Sequence, residues 1–125
     1  MATVGIGIDA VDVERFGRVI ARRPGLRSRL FTAGELAYAD QARNGTERLA
    51  ARFAAKEAAM KALGRGIGTI RFADVEVVRE PSGRPALVLH GAAAARAGEL
   101  GVVAVHVSLT HTGNRAEAIV VLDGP

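Results

Sequence analysis

The organisation of this chain centres on the stretch Arg52-Phe-Ala-Ala-Lys56-Glu57-Ala-Ala-Met-Lys61-Ala-Leu-Gly64. The sequence has 17 lysine and arginine residues, and its only lysines are Lys56 and Lys61. Lysine carries a compact ammonium, and burial can shift its pKa, whereas arginine carries a planar guanidinium that stays charged. A carboxylate between two ammonium groups is typical of phosphate and metal chemistry. The alternative is that two lysines cluster here by chance.

The same stretch predicts most of a long helix. A helix over about residues 47–63 ends at Gly64, a typical C-terminal stop. Glu57 follows Phe53 by four residues, so the two share a face, and Glu57 is expected at the edge of the apolar surface. An exposed Glu57–Lys61 pair would stabilise the helix by only about 0.3–0.5 kcal/mol. Such a surface ion pair is the alternative to a functional role.

Periodicity predicts the remaining elements. The predicted helices cover about residues 13–23, 32–43 and 91–100, and the predicted strands cover 4–8, 75–79, 86–90, 102–109 and 116–122. The first strand is expected to be buried and to end at Asp9. Apart from that strand, helices come early and strands late, which indicates an α+β fold. We therefore predict one domain over residues 1–125, with an antiparallel β-sheet packed against helices.

Composition limits the classes of function. The 125 residues contain no cysteine, which excludes disulfides, thiol nucleophiles and cysteine metal sites and fits a cytoplasmic protein. The N-terminal sequence lacks the pattern of a signal peptide, and no apolar run is long enough for a membrane span. The net charge is +4 and the pI is about 10.6. Because aromatic residues are few, an acidic protein or a phosphate ligand is a better expectation than nucleic acid.

Asp9 supplies a second carboxylate at the end of a glycine-rich strand. An acid at that position has little structural purpose beyond capping. Together with Glu57 and the lysines it could hold Mg²⁺ against a pyrophosphate, because magnesium takes oxygen ligands and commonly uses one or two carboxylates. Sequence spacing does not establish that Asp9 and Glu57 meet.

Three arginines recur on one face of the first helix: Arg15, Arg18 and Arg22. A basic face on an amphipathic helix is commonly just solvated. The alternative is a docking face for an acidic helix.

A serine next to a histidine late in the chain raises the question of a hydrolase. Ser108 and His111 follow an apolar run, but the sequence has no Gly-x-Ser-x-Gly elbow, so a serine nucleophile is not expected. His111 is then either a surface or capping group or a contact to an anion.

The motifs taken together resemble those of one family, the holo-acyl-carrier-protein synthases, which are small, trimeric 4′-phosphopantetheinyl transferases. They occur in the family's order and span nearly the whole chain. The matching segments are Gly5-Ile-Gly-Ile-Asp9 with Val13-Glu-Arg-Phe16, Phe31-Thr32-x-x-Glu35, the Arg52–Gly64 stretch, Gly83-Arg-Pro85 and Val107-Ser-Leu-Thr-His111.

The resemblance implies transfer of 4′-phosphopantetheine from coenzyme A to a serine of an apo acyl carrier protein, with release of 3′,5′-ADP. It implies that Asp9 and Glu57 hold Mg²⁺, with Mn²⁺ as the alternative ion. Asp9, Glu57 and Lys61 would be the catalytic residues. Glu57 would accept the serine proton directly or through a metal-bound water, and Lys61 would stabilise the leaving phosphate.

The resemblance also implies the partners. The residues that would contact coenzyme A are Arg52, Phe53, Lys56, Lys61, Gly83, Arg84, Pro85, His111 and Thr112, and the segment 83–85 would come from a neighbouring subunit. For Lys56, a peripheral phosphate contact and a structural ion pair both remain open. The basic helix face would dock the carrier protein, and the assembly would be a homotrimer with active sites at subunit interfaces, binding neither nucleic acid nor membrane. The rival interpretations are a non-catalytic module of the same fold and a nucleic-acid-binding domain.

Overall fold

A long central helix against a three-stranded sheet forms the framework of the computed structural model, which describes residues 1–66 and 68–125. The loop expected over residues 64–68 includes residue 67, which lies outside the described residues. In chain order the elements are β1 Ala2–Asp12, α1 Val13–Arg22, α2 Leu26–Leu30, α3 Ala33–Asp40, α4 Gly45–Leu63, a 3₁₀ turn Phe72–Asp74, β2 Val75–Arg79, β3 Pro85–Leu89, α5 Gly91–Leu100, β4 Ala104–Thr112 and β5 Arg115–Gly124. None of the described helices is long and apolar enough to cross a membrane.

The main sheet is antiparallel and has the strand order β1–β5–β4. Strand β5 pairs with both neighbours, so that Ile8 of β1 and Ser108 of β4 lie opposite Ile119. Side chains that alternate with Ile119 along β5, such as Ala118 and Val120, are buried beneath α4. Strands β2 and β3 pair separately as a second, two-stranded sheet. The predicted α+β arrangement with an antiparallel sheet is confirmed.

Helix α4 approaches strand β1 closely because the strand presents glycines to it. A Cβ on Gly7 would lie 1.9 Å from the carbonyl oxygen of Ala58, and a Cβ on Gly5 would lie 2.2 Å from that of Ala62. Only a residue without a side chain fits at such distances. The backbones of β1 and α4 therefore set the spacing of the residues they carry.

The first strand differs from the expectation in length and burial. It continues past Asp9 to Asp12, and Ile6 and Ile8 are 63% and 65% exposed. Successive strand residues point to opposite faces. The glycines occupy the face against α4, so the isoleucines lie on the other face, which no described element of this chain covers. The prediction that the strand is buried and ends at Asp9 was wrong.

Local signals account for most helix boundaries. The Asp12 side chain caps α1 by accepting a hydrogen bond from the backbone N–H of Arg15 at 2.8 Å. The predicted capping box between Thr32 and Glu35 is present at the start of α3. Helix α3 ends at Asp40, earlier than predicted, because the chain turns tightly into α4. The short helix Leu26–Leu30 was not predicted.

Candidate active site

Two predicted catalytic residues, Asp9 and Lys61, lie in direct contact. Lys61 Nζ is 3.1 Å from Asp9 Oδ1 and donates a 2.9 Å hydrogen bond to the carbonyl oxygen of Ile8. Glu57 lies one turn before Lys61 on α4 and lines a groove together with Asp9. The close β1–α4 packing thus brings together two carboxylates and an ammonium, although Asp9 lies 52 positions before Lys61 in the sequence.

The two carboxylates are close enough to affect each other's charge. Burial, and secondarily the Asp9 carboxylate, raise the pKa of Glu57, whereas the Lys61 ammonium opposes the shift. Within residues 1–66 and 68–125, Lys61 forms its ion pair with Asp9 and none with Glu57. The surface pair between Glu57 and Lys61, which was the alternative to a functional role, is therefore not the arrangement found. A half-buried carboxylate beside a second one leaves negative charge that a cation would neutralise.

The carboxylates of Asp9 and Glu57 suit a hard cation such as Mg²⁺, which would take its remaining ligands from substrate and water. Over the described part of the chain, no group of three or more histidine, aspartate and glutamate side chains gathers as a metal site. Asp9 and Glu57 form a two-carboxylate set, and magnesium is commonly held by one or two carboxylates with phosphate oxygens and water completing its shell.

An apolar groove of about 530 Å³ leads away from these carboxylates between α1 and α4. Its floor includes Phe53, whose ring lies between those of Phe16 and Phe72, with centroids 5.4 and 5.3 Å away. Arg15 also lines the groove. The predicted site residue Phe53 therefore borders the carboxylate site.

A second, smaller cavity of about 180 Å³ contains several of the other predicted residues. It is lined by Arg52, Pro85 and His111 together with Tyr38, Arg48 and Arg79. Arg52 is 5% exposed, and its Nε has no hydrogen-bond partner among the described residues. Burial, and to a lesser degree Arg79 and Arg48, lower the pKa of Arg52 to about 10, against an opposing effect of Glu35.

Three residues of this cavity were missed by sequence reasoning: Tyr38, Arg48 and Arg79. One signal was present, because Arg48 precedes Arg52 by four residues and so shares its helix face. No comparable signal exists for Arg79, which comes from the end of β2, or for Tyr38 on α3.

Of the predicted segment 83–85, the turn between β2 and β3 brings Pro85 to the same cavity. A Cβ on Gly83, whose φ is +90°, would lie 3.0 Å from Arg79 Nη2. His111 Nδ1 is 3.6 Å from Glu47 Oε2, and Thr112 follows at the exposed end of β4. Arg84 is exposed in the turn, where its backbone N–H donates to the Ser82 hydroxyl.

Lys56 has a different role from the phosphate contact assigned to it. Its side chain is fully buried, and Nζ lies 2.7 Å from Glu35 Oε1, 3.1 Å from the Phe72 carbonyl and 2.5 Å from the Val75 carbonyl. An ammonium has three donors, and all three are used inside the protein. The structural ion pair is therefore the correct alternative, and Lys56 is not a nucleotide contact in this structure.

The predicted docking residues are all on the surface. Arg15, Arg18 and Arg22 are exposed on α1, and none of them forms a salt bridge to another described residue. The exposed guanidinium groups are consequently available to an acidic partner.

Comparisons with known proteins show which family the chain is similar to. The family model of the 4′-phosphopantetheinyl transferase superfamily matches residues 5–119. The holo-(acyl-carrier-protein) synthase of Streptomyces coelicolor is 49% identical over 124 residues, covering 99% of this chain and 100% of the relative. The chain is also similar to the crystal structure of holo-(acyl-carrier-protein) synthase from Neisseria meningitidis, with a TM-score of 0.88, 32% identity and coverage of 97% and 98%. The synthase from Bacillus anthracis, solved in complex with CoA (3′,5′-ADP), gives a TM-score of 0.82, 34% identity and full coverage of both chains.

Proposed function

The chain belongs to the holo-(acyl-carrier-protein) synthases of the 4′-phosphopantetheinyl transferase superfamily, and from this premise we propose that it transfers 4′-phosphopantetheine from coenzyme A to a serine of an apo acyl carrier protein in a Mg²⁺-dependent reaction. The observation that carries the proposal is the convergence of Asp9, Glu57 and Lys61 at one end of an apolar groove. The presence of all three residues in one place argues against a non-catalytic module of the same fold.

Asp9 and Glu57 are the residues that would hold the metal ion, Mg²⁺ or alternatively Mn²⁺. When bound, the ion would neutralise charge on the coenzyme A pyrophosphate. Lys61 is half-exposed, with 54% of its side chain accessible, and its flexible stem can move from Asp9 to a phosphate oxygen.

In the proposed reaction, Oγ of the carrier serine forms a bond to the β-phosphorus of coenzyme A. The bond between this phosphorus and the bridging oxygen breaks, and 3′,5′-ADP leaves with that oxygen. Glu57 accepts the serine proton, either directly or through an intervening water, because a carboxylate within hydrogen-bond reach of the hydroxyl can act as a general base. Lys61 stabilises the negative charge that develops on the leaving phosphate.

The nucleotide end of coenzyme A is proposed to occupy the arginine-lined cavity. Arg52 and His111 would contact a phosphate, with Thr112 beside them, and the segment 83–85 would contact the nucleotide. The support is a cluster of cationic side chains around Arg52, whose Nε lacks a partner among the described residues. Phe53 would contact the donor nearer the carboxylates.

The carrier protein is proposed to dock on α1. Carrier proteins of this kind present an acidic helix, and Arg15, Arg18 and Arg22 offer three exposed positive charges on one face. Complementary charge of this kind mainly raises the rate of encounter and sets orientation.

We also propose the homotrimer, with active sites at subunit interfaces. The support within this chain is the uncovered face of β1 and β5, where Ile6, Ile8 and Ile119 are exposed side by side. Monomers rarely leave such a contiguous apolar patch in water. Light scattering of the purified protein would report the mass of the assembly.

Mass spectrometry of an apo carrier protein tests the proposed activity. Incubation with coenzyme A and Mg²⁺ should add one 4′-phosphopantetheine to the carrier, and Glu57→Gln should abolish this addition while the protein remains folded. Glu99→Gln, the same change on the exposed surface of α5, serves as the matched control and should leave transfer intact. Binding of coenzyme A or carrier without transfer under either metal would favour the non-catalytic module instead.

A further inference from the structure

Three guanidinium groups surround a single phenol at the small cavity. The Cζ atoms of Arg48, Arg52 and Arg79 lie 5.0, 4.3 and 5.2 Å from the centroid of the Tyr38 ring. All three distances are within the range of cation–π attraction. The hydroxyl oxygen of Tyr38 also accepts hydrogen bonds from Arg48 Nη1 and, at 2.6 Å, from Arg79 Nη1.

No carboxylate of the described residues pairs with these three arginines. Among residues 1–66 and 68–125, none of the three arginines forms a salt bridge, and the nearby Glu35 is engaged by Lys56. Cations this close repel one another, and the neighbouring arginines help to lower the pKa of Arg52. A neutral ring alone is a weak reason to collect three positive charges, whereas a phosphate dianion would be bound strongly by them.

We propose that Tyr38 is a positioning residue, which holds the three arginines in the arrangement that binds the ribose phosphate of coenzyme A and thereby selects coenzyme A over dephospho-coenzyme A. This inference rests on the proposed function. A hydroxyl can accept two hydrogen bonds and donate one. The Tyr38 oxygen accepts both of its bonds from arginine, so its own hydrogen remains available to a phosphate oxygen.

Placement on the helix distinguishes this phosphate from the pyrophosphate. Arg48 and Arg52 are one turn apart on α4, and so are Glu57 and Lys61. Five residues separate Arg52 from Glu57, which turns the two side chains about 140° apart around an ideal helix. The carboxylate site and the arginine socket, defined as Arg48, Arg52 and Arg79 around Tyr38, therefore face different directions and form two separate sites for phosphate groups.

Steady-state kinetics with the two donors test the inference. Tyr38→Phe keeps the ring but loses the acceptor, and should raise the KM for coenzyme A about tenfold, the factor that corresponds to about 1.4 kcal/mol. The KM for dephospho-coenzyme A and the kcat with either donor should hardly change. Tyr38→Leu, which loses ring and hydroxyl, should remove the remaining preference for coenzyme A.

Two further variants keep the test decisive. Arg79→Gln removes an exposed arginine whose side-chain hydrogen bond goes to Tyr38, so it should reproduce the selective rise in KM even if a Tyr38 variant folds poorly. Arg29→Gln removes an exposed charge on α2 and should alter neither KM. Equal changes with both donors, or a lowered melting temperature with unchanged selectivity, would overturn the positioning role. A wild-type enzyme that uses neither donor would instead refute the proposed function.

Discussion

Replacing Gly7 by alanine should separate β1 from α4 and move Asp9 away from Glu57 and Lys61. The added Cβ would lie 1.9 Å from the Ala58 carbonyl oxygen and 2.8 Å from its carbonyl carbon. Both obstructing atoms belong to the backbone, so no side-chain rotation can make room. The strand and the helix must move apart as units.

The size of the movement follows from the contact distance. Ordinary contact begins at 3.4 Å, so a 1.9 Å approach requires a separation of about 1.5 Å. Asp9 is two residues from Gly7 on the same face of β1 and should move with it. A displacement of about 1 Å at reacting groups can cost on the order of 10²-fold in rate, and overpacking of this kind typically costs about 1–3 kcal/mol of stability.

Transfer kinetics and urea denaturation of Gly7→Ala measure both effects, with Gly98→Ala as the control. Gly98 lies in α5, and a Cβ added to it would meet no atom within 4 Å outside the helix's own backbone. Alanine there should therefore stabilise the helix by about 0.5–1 kcal/mol and leave kcat unchanged. A Gly7→Ala enzyme with normal kcat and normal stability would refute the spacing argument. If Gly7→Ala lowered the stability but left kcat normal, only the link between the β1–α4 spacing and catalysis would be refuted.

Other changes test separate parts of the molecule. Lys56→Met leaves a buried carboxylate unpaired and should lower the free energy of unfolding by about 3–5 kcal/mol, and a loss below about 1 kcal/mol in urea denaturation would contradict the buried ion pair. Hydrogen bonding from Thr32, and secondarily from His90, lowers the pKa of Glu76 from 4.5. Its stabilising effect should therefore be present above pH 4.5 and be lost as the pH falls through the lower folded pKa, so Glu76→Gln should destabilise the protein at neutral pH but not in strong acid. A pH-independent difference between the two denaturation profiles would count against this. Charge reversal at Arg15 and Arg18 should raise the KM for carrier protein more than that for coenzyme A, and equal changes would rule out docking on that face.

The carboxylate site was largely predictable, whereas its surroundings were not. Asp9, Glu57 and Lys61 were identified because unusual residue types stood in a recognisable family pattern. The partner of Lys56 could not be identified from spacing, because Glu35 lies 21 residues away and meets it only after α3 packs on α4.

The exposed face of β1 was missed for a related reason. A run of glycine and isoleucine was interpreted as uniformly buried, although the two residue types alternate. Close approach by a helix backbone makes the glycine side the inner one, and this approach is a property of the packed structure. The arginine socket likewise joins a helix, a second helix and a strand end that are distant in sequence.

The burial of Lys56 also determines the orientation of α4 about its own axis. Lys56 is attached by three hydrogen bonds to groups outside the helix, and the next residue is Glu57. Neighbouring helical residues are offset by about 100°. Because Lys56 is fixed in the interior, Glu57 is directed away from it and toward the groove. Rotation or axial sliding of α4 would leave the Lys56 ammonium without acceptors in the protein interior, so the Glu57 carboxylate would be held in place before any substrate binds.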